Sequence, residues 1–334
     1  MAKKVLVTGG AGYVGSLLTP QLLQAGYDVT VYDIMFFDDW FLPKDNPRLT
    51  VIDGDIRDTR KLAAALKGHD TVINLACISN DASFELDESL STTINLDAFE
   101  PMVLAAKDAG IRRFIYASSS SVYGVSDKPN VTEDHPLVPL TLYNKYKGMC
   151  EPLLFKHTSD KFVGVVFRPA TLCGYAPRLR LDLSVNILTS HAVVNNRITV
   201  FGGSQLRPNL HIQDYVDLCK LLLEAPEQKI ANQIFNCGYQ NMSIMELAHL
   251  VKRVVAEEFP EKPPIDIVTT PSNDNRSYHI NSDKIRRVLG FQPQHTIEEA
   301  IRDLCRAFRE GKIPDTMAND RYYNVRTLKK LKAA

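Results

Sequence analysis

The sequence predicts an α/β fold: a doubly wound parallel sheet with a smaller, partly interleaved α/β domain packed against it. Three observations lead there. Short, continuously apolar, β-branched runs alternate with helical stretches through the first half of the chain, and strands apolar on both faces belong to parallel sheets covered by helices on each side. The first run passes directly into a glycine-rich turn and then an amphipathic stretch, the pattern of a strand–turn–helix unit. From about Arg168 the alternation gives way to a loop-rich sequence with no Gly-, Ser- or Pro-rich linker ahead of it, so the second region packs on the first and forms a cleft with it.

In chain order the strands are "KVLVT" (4–8), "DVTVYD" (28–33), "LTVID" (49–53), "TVINLA" (71–76), "RFIYAS" (113–118) and "FVGVVF" (162–167). The helix after the first strand runs to Ala25 and stops at Gly26, a residue type suited to the left-handed position past a helix end. Longer helical patterns cover 86–109, ending at Gly110, and roughly 140–157. Three more lie near 213–224, 243–258 and 296–310. The expected division is 1–170 for the first domain, with later segments returning to it, 171–320 for the second, and 321–334 for a C-terminal tail.

A chain of 334 residues has room for about two such domains. Lysine plus arginine and aspartate plus glutamate balance at 39 each, which leaves no global field for nucleic acid or an anionic membrane. Neither is an expected partner. No stretch approaches the apolar length of a membrane span, and "MAKKVLVTGG" lacks the h-region of a signal peptide. The 6 cysteines show neither a CxxC pair nor metal-ligand spacing and read as scattered small apolar residues of a reducing compartment. The expectation is a cytoplasmic protein without a metal.

"VTGGAGYVG" places Gly9, Gly12 and Gly15 between the first strand and the first helix, with Tyr13 and Val14 before the last glycine. Such a turn brings backbone N–H groups at a helix N-terminus close to a pyrophosphate. The plain alternative is a glycine turn that holds nothing. Asp33 ends the second strand 18 residues after Gly15. A carboxylate there accepts from adenosine ribose hydroxyls and repels a 2′-phosphate, which favours NAD over NADP; otherwise it is a strand-end turn residue.

With its GxxGxxG spacing the chain resembles the extended short-chain dehydrogenase/reductases, and among them the NAD-dependent nucleotide-sugar epimerases and dehydratases. The fold implied is a Rossmann-type sheet with a substrate domain. "DGDIRD" (53–58) resembles the family's adenine-contacting segment, which implies that role for Asp55 and Ile56. "NLAC" (74–77) is similar to its strand end beside the cofactor, giving Leu75, Ala76 and Cys77. Asn95 in "TINLDAF" stands where the family carries a structural and active-site asparagine, and Pro169 in "FRPATLCG" where a segment closes over the nicotinamide.

The catalytic pair of that family is a tyrosine and a lysine four residues on, here Tyr143 and Lys147 in "YNKYK". Positions i and i+4 share one helix face. In a chain with 13 tyrosines, chance alone yields about one such pair; its weight comes from opening the helix between the fifth and sixth strands. An unperturbed phenol is a poor base at neutral pH, and a neighbouring ammonium together with a nicotinamide cation favours the phenolate. The resemblance also gives Lys147 the nicotinamide ribose. In "ASSSSVYG" (117–124) the family position four before the tyrosine of "VYG" selects Ser119 as the catalytic hydroxyl, able to donate and accept. Ser120 and Ser121 then line the substrate site; the plain reading of all four serines is a strand cap. The family's 4,6-dehydratases place an Asp-Glu pair at these two positions and its decarboxylases a glutamate at the second. Serine hydroxyls cannot do that acid–base work.

On the substrate side, the resemblance implies Thr171 in "FRPATLCG", Asn186 in "RLRLDLSVN", Arg207 in "RPNLHIQDY" and Arg276 in "DNRSYHINSDK". Two guanidinium forks suit a diphosphate, although each arginine alone also reads as a surface ion pair. His211 reads as structural. The expected function is an NAD-dependent epimerase that transiently oxidises a hydroxyl of a nucleotide sugar, C4 by the resemblance. The alternatives are a nucleotide-sugar 4-dehydrogenase or ketoreductase, then a 4,6-dehydratase, and last a non-catalytic NAD sensor. The segments 86–109 and 140–157 carry Leu90, Ile94, Phe99, Leu142, Met149 and Leu153 on more than one face, and the family pairs these helices across a homodimer.

Overall fold

The computed structural model describes residues 3–126, 128, 130–271 and 277–333. Its main sheet has seven parallel strands, and the first six follow the apolar runs closely. They are β1 (Lys4–Thr8), β2 (Asp28–Asp33), β3 (Leu49–Asp53), β4 (Thr71–Asn74), β5 (Arg113–Ala117) and β6 (Val163–Pro169). The seventh, Gln233–Cys237, returns from the second half of the chain and pairs with β6, giving the order Gln233–Cys237, β6, β5, β4, β1, β2, β3. The order reverses between β1 and β4, and the carboxyl ends of these two strands bound the crevice where ligands of such sheets sit.

Both faces of the sheet are covered, as the two-sided apolar strands require. On one face, the helices Gly15–Gln24 and Ile212–Glu224 bury Leu18, Leu22, Leu218 and Leu222 against Val5, Val7 and Val165. On the other, the helices Thr59–Leu66, Phe99–Asp108 and Leu142–Phe155 bury Leu62, Phe99, Met102 and Leu154 against Leu6, Val72 and Phe114. A third core lies outside the sheet, where the helices Ser184–Asn195, Ile244–Glu258 and Ile297–Arg309 pack around Ile198 and Val200. A fourth cluster joins Tyr13 of the glycine turn to Leu179, Leu181, Tyr322 and Tyr323. Among the described residues no helix is long and apolar enough to cross a membrane.

The structure departs from the expected 86–109 helix. It is broken into Glu88–Thr92, a π-helical turn Thr93–Asp97 and the helix Phe99–Asp108. A π turn inserts one residue into the helical ladder, and here the inserted turn swings Asn95 inward. The amide of Asn95 accepts from the Ile78 N–H at 2.8 Å and donates to the Ile78 carbonyl at 2.9 Å. The same burial bears on the apolar faces expected to pair subunits: Ile94 and Phe99 are core residues. The exposed apolar side chains of these two helices include Leu104 and Met149. The tail forms a further helix, Asn324–Ala333.

Candidate active site

The switch point opens into a cavity of about 720 Å³ between the sheet and the third core, in the upper part of the range of ligand pockets, about 300–1,000 Å³. Its inner end is the glycine turn. Gly9 has φ +72°, and a Cβ there would lie 2.6 Å from the Ala76 nitrogen, so no other residue fits between the β1 and β4 ends. Gly9, Gly12, Tyr13 and Val14 line the cavity. Gly15 does not; a Cβ on it would lie 2.2 Å from the Gly10 carbonyl oxygen, so it serves the close packing of turn and helix.

Asp33 stands on the cavity wall at the end of β2. Its carboxylate accepts from the N–H groups of Ala11 and Met35, each at 2.9 Å, which ties the glycine turn to β2. Burial raises its pKa, and the two N–H donors oppose that rise. Asp55 and Ile56 line the same end, and Asp55 is held by Arg57. Leu75, Ala76, Cys77 and Pro169 form the floor toward the middle. Asn95 is not on the wall. Its two bonds to Ile78 fix the loop after β4, whose residues 75–81 are. We expect Asp33→Ala to weaken NAD binding about tenfold and to narrow discrimination against NADP. Equal affinities of the unaltered protein for NAD and NADP in fluorescence titrations would contradict this role.

At the other end the helix Leu142–Phe155 is capped by the Thr141 hydroxyl, which accepts from the Asn144 N–H. The cap sets Tyr143 in the first turn and Lys147 one turn on, both on the cavity wall. Lys147 Nζ donates to the Ala117 carbonyl at 2.8 Å at the end of β5. Burial pushes the Tyr143 hydroxyl well above the usual phenol range, nearby Cys77 and Asp81 push the same way, and Arg180 is the cation that pulls it down. From the sequence, the ammonium together with the nicotinamide cation is expected to lower it; in the structure burial is the largest influence, and Arg180 is the group that opposes it.

Ser119 Oγ lies 2.7 Å from Ser121 Oγ, and the Ser121 hydroxyl in turn donates to Asn144 Oδ1. Ser120 Oγ is 3.4 Å from the Tyr278 hydroxyl. All three serines line the cavity with Tyr143. Ser118 lines the cavity as well, but its hydroxyl is spent on Glu151, to which it donates at 2.6 Å, and Glu151 forms a fully buried bidentate pair with Arg168. All four serines thus line the cavity, and they differ in their hydroxyl partners: that of Ser118 is bonded to Glu151, while those of the other three are bonded to Ser, Asn and Tyr side chains.

Of the substrate-side residues, Thr171 and Arg207 line the cavity. Asn186 does not. It is fully buried, accepts from the Gly174 N–H at 3.0 Å and donates to the Arg180 carbonyl at 2.8 Å, so its amide braces the loop instead of facing a ligand. Arg276 lies outside the described residues. His211 caps the helix Ile212–Glu224, accepting from the Gln213 N–H at 3.0 Å. Sequence reasoning passed over Arg178, Arg180 and Asn144. The two arginines alternate in "RLRLD", a period-2 pattern that puts both on one side of an extended segment. Arg180 Nη2 and Asn144 Nδ2 are buried on the cavity wall without a hydrogen-bond partner among the described residues.

The sequence of residues 5–238 matches the family model described as "NAD dependent epimerase/dehydratase family". The chain belongs to that family. It is 28% identical over 319 residues to a UDP-glucose 4-epimerase of Lactobacillus helveticus, spanning 87% of this chain and 92% of that protein. It is 27% identical over 315 residues to a dTDP-glucose 4,6-dehydratase of Streptomyces griseus, spanning 90% and 92%. Among solved structures it resembles MoeE5 in complex with UDP-glucuronic acid and NAD, at 26% identity and a TM-score of 0.79, covering 92% of this chain and 99% of that one. This member of the NAD-dependent epimerase/dehydratase family is an enzyme, and its cavity fits the dinucleotide: a glycine turn at a helix start, an acidic strand end, and buried side-chain N–H groups of Asn144, Arg178 and Arg180 with no acceptor among the described residues.

Proposed function

We propose that the protein epimerises a nucleotide sugar by transient oxidation of a ring hydroxyl, at C4 in the manner its resemblance implies. NAD, when bound, would supply a reversible hydride acceptor, with inversion following from return of the hydride to the opposite face of the transient keto sugar. Tyr143 receives the hydroxyl proton through its own oxygen and gives it back. Ser119 holds the reacting oxygen by donating or accepting, and Lys147 supports the nicotinamide ribose. Arg207 and Arg276 meet the diphosphate. Thr171, Ser120 and Ser121 contact the sugar.

One observation carries the choice of epimerisation over dehydration. Ser120 and Ser121 stand on the cavity wall where elimination would require an acid and a base, and their hydroxyls are bonded to Tyr278, Ser119 and Asn144. The test starts with a thermal-shift panel of UDP-, GDP-, dTDP- and CDP-sugars that includes UDP-glucose and UDP-glucuronic acid, since a true ligand raises the unfolding temperature in proportion to ln(1 + [L]/Kd). With the sugar so found, epimerisation gives an inverted centre by NMR and little NADH at 340 nm. NADH rising at least to the enzyme concentration with a keto product would instead mean a dehydrogenase. Solvent deuterium at C5 with a 4-keto-6-deoxy product would mean a dehydratase.

We further propose a homodimer across the helices Phe99–Asp108 and Leu142–Phe155, supported by the exposed apolar Leu104 and Met149. Light scattering at micromolar concentration is expected to give twice the mass of the chain; the monomer mass would refute it.

A further inference from the structure

The segment "RLRLD" borders the cavity through Arg178, Arg180 and Asp182, packs Leu179 and Leu181 with Tyr13 of the glycine turn, and is latched by the C-terminal segment. Leu181 N–H donates to the Tyr322 carbonyl at 2.9 Å. Asn324, itself buried, makes three further links: its N–H donates to Asp182 at 3.1 Å, its Nδ2 to the Ser79 hydroxyl at 2.9 Å, and its Oδ1 accepts from Arg178 Nη2 at 2.6 Å. Beyond it, Leu328 of the last helix also reaches the cavity wall. The chain end thereby ties the loop after β4 to the arginine segment.

Arg178 is the centre of this arrangement. Its backbone N–H donates to the Ser16 hydroxyl, in the first turn of the glycine-turn helix, at 3.2 Å. Its guanidinium lies 3.8 Å from the centre of the Phe37 ring. The side chain is more than nine-tenths buried and lines the cavity, and Nε has no hydrogen-bond partner among the described residues. Burial, then the neighbouring Arg180, depress its pKa to about 9. Asp33 and Asp182 are close enough to act on it, but neither forms an ion pair with it among the described residues. A buried cation with an unused donor beside a second arginine is costly unless an anion joins it.

We propose that Arg178, held by Asn324, is the outer jaw of a clamp on the pyrophosphate of the coenzyme, with the glycine turn as the inner jaw. The chain end is then a strap that retains the coenzyme between turnovers, as an epimerase needs and a dehydrogenase does not. The clamp rests on the NAD reading of the cavity and not on the sugar reaction, so it is tested without any sugar substrate.

The experiment is calorimetric titration of the full-length, nucleotide-stripped protein with NAD, ADP-ribose and adenosine, of which only the first two carry the pyrophosphate. Arg178→Met is expected to weaken NAD and ADP-ribose by about ten- to a hundredfold, the usual loss of a charge-assisted bond, and adenosine by less than about twofold. Asn324→Ala is expected to speed NAD dissociation by about three- to tenfold with the same ligand pattern. Arg178→Lys, which keeps the charge, is expected to bind with intermediate affinity and gives a second reading if the methionine variant folds poorly. An equal loss for adenosine, unchanged ADP-ribose binding, or a loss seen with UDP in place of ADP-ribose would each overturn the proposal.

Discussion

Tyr143→Phe lowers turnover by about 10²–10⁴-fold, the usual contribution of a positioned proton-transfer group, while NAD affinity changes little. The substitution keeps the ring in its capped first turn and deletes only the oxygen. In the proposed reaction that oxygen is the group through which a sugar hydroxyl loses its proton, and the cavity gives it few substitutes. Lys147 spends one of its three N–H donors on the Ala117 carbonyl and as an ammonium has no lone pair to accept a proton, and Ser119 and Ser121 are weakly basic hydroxyls bonded to each other. Burial raises the tyrosine above the ordinary phenol range and Arg180 opposes this, so base strength depends on positive charge delivered at the site. Ser119→Ala is expected to fall in the same range of loss. Stopped-flow or steady-state assays on the sugar identified by thermal shift check both, and a Tyr143→Phe enzyme within threefold of normal turnover would remove this residue from the mechanism.

Glu151→Ala costs about 3–5 kcal/mol of folding stability, the range for removing one partner of a buried ion pair. Both side chains of the Glu151–Arg168 pair are 3% exposed. Glu151 also accepts from Ser118, and Arg168 donates to the Tyr123 hydroxyl at 2.7 Å, so the pair joins the Tyr143 helix to β5, β6 and the turn after the serines. Losing the carboxylate strands a guanidinium in the core. Adding Arg168→Met to Glu151→Ala removes that stranded charge, and the double variant is expected to recover most of the loss. Urea denaturation with a common m-value checks it; a loss below about 1 kcal/mol would show that Arg168 finds another acceptor or water.

How much could be read in advance follows the range of the interactions. The first three strands were legible to the residue because β-branched runs bounded by Gly, Asp and turn residues are a local signal. The break at Thr93–Asp97 was not, since its cause is a bond from Asn95 to Ile78, 17 residues away. The seventh strand, Gln233–Cys237, carries no pattern that distinguishes it from the surrounding loops until it meets β6. The placement of Tyr143, Lys147 and the serines on one cavity followed from their positions at strand and helix ends. Asn186 reads as a ligand residue by motif but is consumed by Gly174 and Arg180, and Arg178, which no motif singles out, is buried. Only packing decides such cases.

The return of Gln233–Cys237 to the edge of β6 also bears on how such an enzyme can change over evolutionary time. The chain leaves the main sheet at Pro169, builds part of the outer core, comes back to close the sheet, and leaves again for Ile244–Glu258 and Ile297–Arg309. No single crossover in the gene exchanges the outer part as a module: a break at 170 would leave the β6 edge bare, and a break after 237 would divide the outer core. Changes of ligand preference then fall to substitutions on the cavity wall, which Thr171 and Arg180 line, within an architecture inherited whole.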